Sequence, residues 1–192
     1  AVIAGAGSGI GRAVALALAD EGMHVVGADI EQAPADETAA AVRSRGVRSI
    51  AVQTDVTDES SVDALVDAAY EEFGSVDVLH NNAGVLVRGG LTEMRLPDWQ
   101  WVFSVNVFGV ANCIRAFVPR MLAQGTEAHV VNTASSGGFN IGPQFGVYGA
   151  SKFACRAISE VLRMELDGTA IGVSTLCPSA VTTQLHASRR NR

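Results

Sequence analysis

Tyr148 and Lys152 stand four residues apart in the stretch Tyr148-Gly149-Ala150-Ser151-Lys152. The chain has two tyrosines and a single lysine, and its other thirteen formal cations are arginines. A lone lysine among arginines points to a position that needs a compact ammonium on a flexible stem rather than a planar guanidinium. On a helix, residues four apart share a face with Cβ atoms about 6 Å apart. Phenol and ammonium then look into the same space. A phenol titrates near pH 10, and making it a proton acceptor near pH 7 takes about 4 kcal/mol. An ammonium about 4 Å away supplies about 1 kcal/mol in water and about 4 at an effective dielectric of 20. The pair is an acid–base device only inside a cleft; on an exposed helix it is an ordinary surface pair.

Whether a cleft exists depends on the elements around the pair. Val2-Ile3-Ala4 reads as a short strand running into Gly5-Ala6-Gly7-Ser8-Gly9-Ile10-Gly11, after which Val14, Ala17 and Leu18 take helical spacing. Strand, glycine turn and helix make a phosphate cradle, because glycines admit close backbone approach and the helix N-terminus offers unpaired N–H groups. The second strand, His24 to Ala28, ends in Asp29, 18 residues beyond Gly11. A carboxylate there accepts hydrogen bonds from the ribose hydroxyls of an adenosine and repels a 2′-phosphate. Ile30, Glu31 and Gln32 follow it, and Ser8 precedes Gly9, so no base is available to hold that phosphate. The pattern predicts NAD rather than NADP.

Further along, a helix is expected from about Ala35 to Arg45 and a third strand from Ser49 to Thr54, closed by Asp55-Val56. Thr57 reads as the N-cap of a helix whose buried stripe is Val62, Leu65, Val66, Ala69 and Phe73. Strand four, Val76 to His80, leads into Asn81-Asn82-Ala83-Gly84. One long helix follows from about Pro97 to Ala123, bent in its last part by Pro119. Asn106 lies on it among Val102, Phe103, Val105 and Val107, where an amide needs partners. It is either a satisfied core asparagine or faces a water or backbone carbonyl near Lys152. Strand five, His129 to Ala134, delivers Ser135 and Ser136 to a glycine-rich loop; strand six, Ile171 to Cys177, breaks at Pro178. The groups singled out all follow strands: Gly5 to Gly11, Asp29, Asp55, Asn82 to Gly84, Ser135, and Pro178 to Thr183. In open α/β sheets that edge binds ligands.

Composition narrows the function classes. The 192 residues are 48% hydrophobic and 18% charged, enough to bury one full core, and are most simply read as a single domain. Net charge is −6 with a pI near 5.1, which speaks against a nucleic-acid surface. The Arg189-Arg190-Asn191-Arg192 ending is too short to change that. Cys113, Cys155 and Cys177 fall singly in apolar surroundings, without metal-ligand spacing. No apolar run of 18 residues occurs and the first residues form a strand. The expectation is a soluble, cytoplasmic protein without metal, membrane or nucleic-acid partner.

Taken in order, GxxxGIG, Asn81-Asn82-Ala83-Gly84, Asn106, Ser135 and Tyr148-x-x-x-Lys152 resemble the short-chain dehydrogenase/reductase family over essentially the whole chain. The resemblance implies a doubly wound, mostly parallel, Rossmann-like α/β sheet in three layers. Six strands fall within residues 1–192, read as a single dinucleotide-binding catalytic domain. A substrate-covering segment and a seventh strand are expected beyond the chain end. It implies Tyr148 as general acid/base, and Lys152 lowering the tyrosine pKa and holding the nicotinamide ribose. Ser135 would bond the substrate oxygen, and Asn106 would hold a water in a proton relay. Cofactor contacts are implied at Gly5, Ser8, Gly9, Ile10, Gly11, Asp29, Ile30, Asp55, Val56, Asn82, Ala83, Gly84, Pro178, Val181 and Thr183, besides Tyr148 and Lys152. Two positions depart from the family: Ala4 replaces a threonine whose hydroxyl ties the glycine turn, and Ser179 replaces a glycine.

These expectations describe an oxidoreductase moving a hydride between NAD and a hydrophobic secondary alcohol or ketone, the apolar lining suggested by Phe139, Ile141 and Phe145. Two alternatives stand beside it: a 3-oxoacyl thioester reductase using NADPH, which Asp29 opposes, and an NAD-sensing module without turnover. The family resemblance also implies a homo-oligomer, a tetramer or dimer built on the long helices.

Overall fold

The computed structural model of the chain describes residues 1–183 and 185. The arginine-rich ending lies outside them. Six strands form one sheet: β1 Val2–Ala4, β2 Val25–Asp29, β3 Ser49–Gln53, β4 Val78–Asn81, β5 Ala128–Thr133 and β6 Ile171–Leu176. Their order is β3-β2-β1-β4-β5-β6, with every neighbouring pair parallel. Strands buried on both faces need no polar alternation, which is why β1 is a continuous apolar run, buried throughout. The helices are α1 Gly9–Asp20, α2 Gln32–Arg43, α3 Glu59–Phe73, α4 Leu96–Phe103, α5 Gly109–Gln124 and α6 Gly146–Glu165.

The chain runs outward from β1 to β2 and β3, then returns to β4 on the other side of β1. Loops from the two halves diverge there, and a crevice opens at the carboxyl edge of β1 and β4. The main core holds Leu65, Leu79, Phe117 and Met121 between the sheet and helices α3 and α5.

Several local expectations are corrected. Thr57 is not the cap of α3: Asp58 is, accepting from the Ser60 amide at 3.1 Å. The Thr57 amide and hydroxyl are already committed to Asp55 Oδ1, at 2.9 and 2.7 Å. Helix α2 begins three residues before Ala35, since Glu31 supplies an extended N-cap and Pro34 is tolerated in the first turn. Strand β4 starts at Val78 rather than Val76, because the Val76 amide and carbonyl bond Gln124 instead of a neighbouring strand.

The long helix is interrupted. Between α4 and α5, Ser104–Phe108 form a π-turn with Asn106 at its centre. A π-turn inserts one residue and displaces the face by part of a turn, which a 3.6-residue periodicity does not foresee. Helix α5 then runs through Pro119 to Gln124 and ends at left-handed Gly125. By length and hydropathy, Leu96–Gln124 is apolar enough to cross a bilayer. Its apolar residues Val102, Cys113, Phe117 and Met121 are instead buried in the cores of this fold.

Candidate active site

The glycine turn takes its shape from two close approaches. Gly5 has φ +80°, and a Cβ there would meet the Ala83 backbone at 2.8 Å. At Gly11 a Cβ would lie 2.0 Å from the Gly5 carbonyl oxygen, so no side chain fits without moving the helix. Gly5 and Ala6 amides both donate to the Ala28 carbonyl, at 2.8 and 2.9 Å, and Asn82 Nδ2 donates to the Gly5 carbonyl at 3.1 Å. The turn is therefore stitched to β2 on one side and to the end of β4 on the other. The hydroxyl missing at Ala4 has a counterpart elsewhere: buried Thr38 on α2 donates to the Ala6 carbonyl at 3.0 Å. Ser8 precedes α1 in extended backbone with no side-chain cap. The first amides of that helix are accordingly left for a ligand.

Asp29 closes the far side. Its carboxylate accepts from the Gly7 amide at 2.9 Å and from the Glu31 amide at 3.1 Å. Gly7, absent from the expected contact set, permits this: a Cβ on it would sit 2.8 Å from Asp29 Oδ2.

Turn, carboxylate and the Tyr148–Lys152 pair line one cavity of about 870 Å³. That volume suits a ligand the size of a dinucleotide plus a small substrate, at the upper end of ordinary ligand pockets. Ser8, Gly9, Ile10, Asp29, Ile30, Asp55, Val56, Asn82, Ala83, Gly84, Pro178, Val181 and Thr183 all contribute to its wall, as do Gly5, Ser135, Tyr148 and Lys152. Two expected residues do not. Gly11 is packed behind the turn, and its part is to let α1 approach Gly5.

Asn106 is the second, fully buried behind the wall. Its Oδ1 accepts from the Val85 amide at 2.8 Å, while Nδ2 donates to the Val85 carbonyl at 3.0 Å and to Ser151 Oγ at 3.0 Å. Ser151 in turn donates to the Tyr148 carbonyl at 2.6 Å. The two readings of Asn106 meet here: the amide is satisfied within the core, one partner is the Val85 backbone carbonyl, and a Cβ on neighbouring Gly84 would lie 3.5 Å from Asn106 Oδ1 and 3.6 Å from Lys152 Nζ. Asn106 joins the loop after β4 to the π-turn and to α6, and so braces the helix that carries Tyr148.

Helix α6 places both members of the pair as the spacing requires. Lys152 is almost wholly buried, its Nζ 2.8 Å from the Thr133 carbonyl oxygen to which it donates and 5.7 Å from the Tyr148 ring centroid. Burial pushes its pKa below the usual 10.5. Burial also raises the Tyr148 pKa above 10, against a smaller lowering by its hydrogen bond with Ser135. In the protein alone, burial outweighs the lowering by Ser135. Ser135 stands in extended backbone after β5, its Oγ accepting from the Gly137 amide at 3.0 Å. That bond leaves the hydroxyl proton to be shared with a neighbour.

Residues beyond the sequence expectation also face the cavity, notably Leu86 from the loop after β4, Trp101 from α4 and Val105 from the π-turn. Trp101 and Val105 are four apart and line the same cavity as Tyr148. No local pattern marks such a face as belonging to the cleft.

Comparison with known proteins agrees with this geometry. The profile of the family described as short chain dehydrogenase matches residues 1–192. The 1-deoxy-11-beta-hydroxypentalenate dehydrogenase of Streptomyces exfoliatus is 42% identical over 187 residues, covering 96% of this chain and 68% of that protein. A short chain dehydrogenase/reductase from Burkholderia phymatum, solved in complex with NAD, superposes with a TM-score of 0.96 at 46% identity, over 98% of this chain and 68% of its own. The 3-ketoacyl-(acyl-carrier-protein) reductase of Brucella melitensis, complexed with NADH, gives 0.91 at 33% identity over 97% and 77%. With this sheet order, this glycine turn and this Tyr–Lys pair on one cavity, the chain belongs to the short-chain dehydrogenase family and is an oxidoreductase.

Proposed function

We propose that the protein is an NAD-dependent dehydrogenase or ketone reductase acting on a hydrophobic secondary alcohol or its ketone, with Tyr148 as general acid/base. The observation that carries the reading is that Ser135, Tyr148 and Lys152 share one cavity wall with the glycine turn and Asp29. The residues present fit NAD: small side chains at the turn and the uncapped first amides of α1 suit a pyrophosphate, and the carboxylates beyond β2 suit unphosphorylated ribose. When bound, NAD supplies the hydride acceptor for the carbinol carbon.

The rest is the work of this chain's own groups. Ser135 Oγ holds the substrate oxygen beside the Tyr148 phenol. In the oxidative direction the phenolate takes the hydroxyl proton as the carbon gives up hydride; in reduction the phenol returns it. Lys152, fixed on Thr133, keeps a positive charge near that oxygen and is available to the ribose. Apolar Leu86, Trp101, Val105, Ile141 and Phe145 exclude water and favour a hydrophobic substrate. Assembly of copies through exposed Phe108, Phe153 and Met164, and a cytoplasmic location, belong to the same proposal.

A thioester reductase is the second reading, favoured by the likeness to the Brucella reductase. That protein was solved with NADH, so cofactor choice does not separate the two readings. Absorbance at 340 nm with NAD(H), secondary alcohols, ketones and a 3-oxoacyl thioester does. Turnover of alcohols and ketones, lost in Tyr148→Phe, is the expected result. Thioester turnover alone selects the second reading, and NAD binding with no turnover selects a sensor.

A further inference from the structure

The cavity wall beyond β2 carries more than the single carboxylate at Asp29. Glu31 and Glu37 line it as well. Glu37 comes from α2, one turn after Pro34, and the corner is drawn tight: a Cβ on Gly7 would lie 2.8 Å from Asp29 Oδ2 and 2.9 Å from the Pro34 Cβ. Among the described residues lining the cavity the only cation is Lys152, at the opposite, Tyr148 end. A base nevertheless stands one contact behind this corner. Arg12, on α1, places Nη1 3.7 Å from Glu37 Oε2.

We propose that Glu37 is a specificity-determining residue for the ribose end of the cofactor: its carboxylate repels a 2′-phosphate and, by pairing with Arg12, denies that phosphate its natural partner. The inference rests on the NAD reading above. The pair is exposed, with 40% of the arginine and 71% of the glutamate side chain accessible, so it is weak and readily exchanged. A phosphate offers a guanidinium a stronger, bidentate partner than this single long contact. Replacing the carboxylate by an amide removes one repulsive charge and releases one attractive one. Each change is worth roughly threefold at exposed distances, so the two together give about tenfold. Selectivity is then a property of a three-carboxylate corner with a masked arginine, and substituting Asp29 alone leaves part of it in place.

The test is calorimetric titration of the full chain with ADP-ribose and with its 2′-phosphate, comparing wild type, Glu37→Gln and the double variant Arg12→Ala/Glu37→Gln. Glu37 is an exposed helix residue, so folding is preserved, which circular dichroism verifies. The expected result is wild-type preference for ADP-ribose, narrowed about tenfold in Glu37→Gln through tighter binding of the phosphorylated ligand, with the gain cut back to about threefold by loss of Arg12. A preference unchanged within twofold in Glu37→Gln, or a tenfold gain that survives undiminished in the double variant, overturns the proposal while ADP-ribose binding keeps the NAD reading. Failure of wild type to bind either ligand overturns both.

Discussion

The Lys152 ammonium donates to the Thr133 carbonyl across 2.8 Å, tying the middle of α6 to the last residue of β5. The contact does two things. It fixes a buried charge that would otherwise be costly to hold in an apolar wall, and it holds the ammonium in the cavity wall that Tyr148 also lines. A planar guanidinium has a different shape and donor geometry from this compact ammonium.

Lys152→Met and Lys152→Arg are expected to lower kcat about 100-fold or more, the range lost with an acid–base group's support. Removing a buried charge together with its need for a partner has a small effect on stability, so melting of the methionine variant should lie near wild type. Steady-state kinetics and thermal unfolding measure the two effects. Near wild-type kcat in either variant would remove the lysine from the mechanism.

Tyr148→Phe is expected to lower kcat by 10² to 10⁴-fold, roughly the worth of general acid–base catalysis, while ADP-ribose still binds. Because burial holds the phenol above its usual range, the phenolate needed for alcohol oxidation grows as pH rises. Oxidation should accelerate toward alkaline pH and ketone reduction toward neutral pH, until Lys152, whose pKa is lowered, loses its proton. In Lys152→Met the rise in oxidation moves to higher pH. An oxidation profile falling between pH 7 and 9 contradicts this assignment.

Gly11→Ala should destabilise the fold by at least about 3 kcal/mol, the upper range for overpacking, since the new Cβ would start 2.0 Å from a backbone oxygen. Urea denaturation measures this. A variant as stable as wild type would mean that α1 can shift freely away from Gly5.

His80 ties stability to pH. It is almost fully buried on β4, its Nε2 2.8 Å from Thr133 Oγ1 and its Nδ1 without a partner among the described residues. Burial lowers its pKa from 6.5 to about 4. The folded state thus binds the proton less well than the unfolded one. Stability is full above pH 6.5 and falls as the pH drops toward 4, by about 2 kcal/mol on reaching pH 5. His80→Gln should flatten that decline. Urea midpoints for both proteins at pH 7.5 and 5 decide it; equal slopes with pH would acquit the histidine.

Much of the site was legible before any coordinates. Asp29, the glycine turn and Ser135 follow strands, and chain order alone places such residues at the carboxyl edge of a parallel sheet. Thr38, Ser151 and Glu37 were not legible, because each acts on a partner distant in sequence: Ala6, Asn106 and Arg12. The Thr57 cap was misread because Asp55 claims the Thr57 amide and hydroxyl while Asp58 takes the Ser60 amide as the cap, a division that local propensity does not rank.

The sequence by itself determined the alternation of strand and helix, the six-strand parallel sheet and the shared face of Tyr148 and Lys152. Those follow from hydrophobic periodicity, glycine sterics and the 3.6-residue turn, all local. Tertiary structure decided the π-turn at Asn106, the burial that raises the tyrosine and lowers the lysine, and the pairing that masks Arg12. Each depends on which atoms from remote segments meet and how much water they exclude, and neither quantity is written in the spacing of residues along the chain.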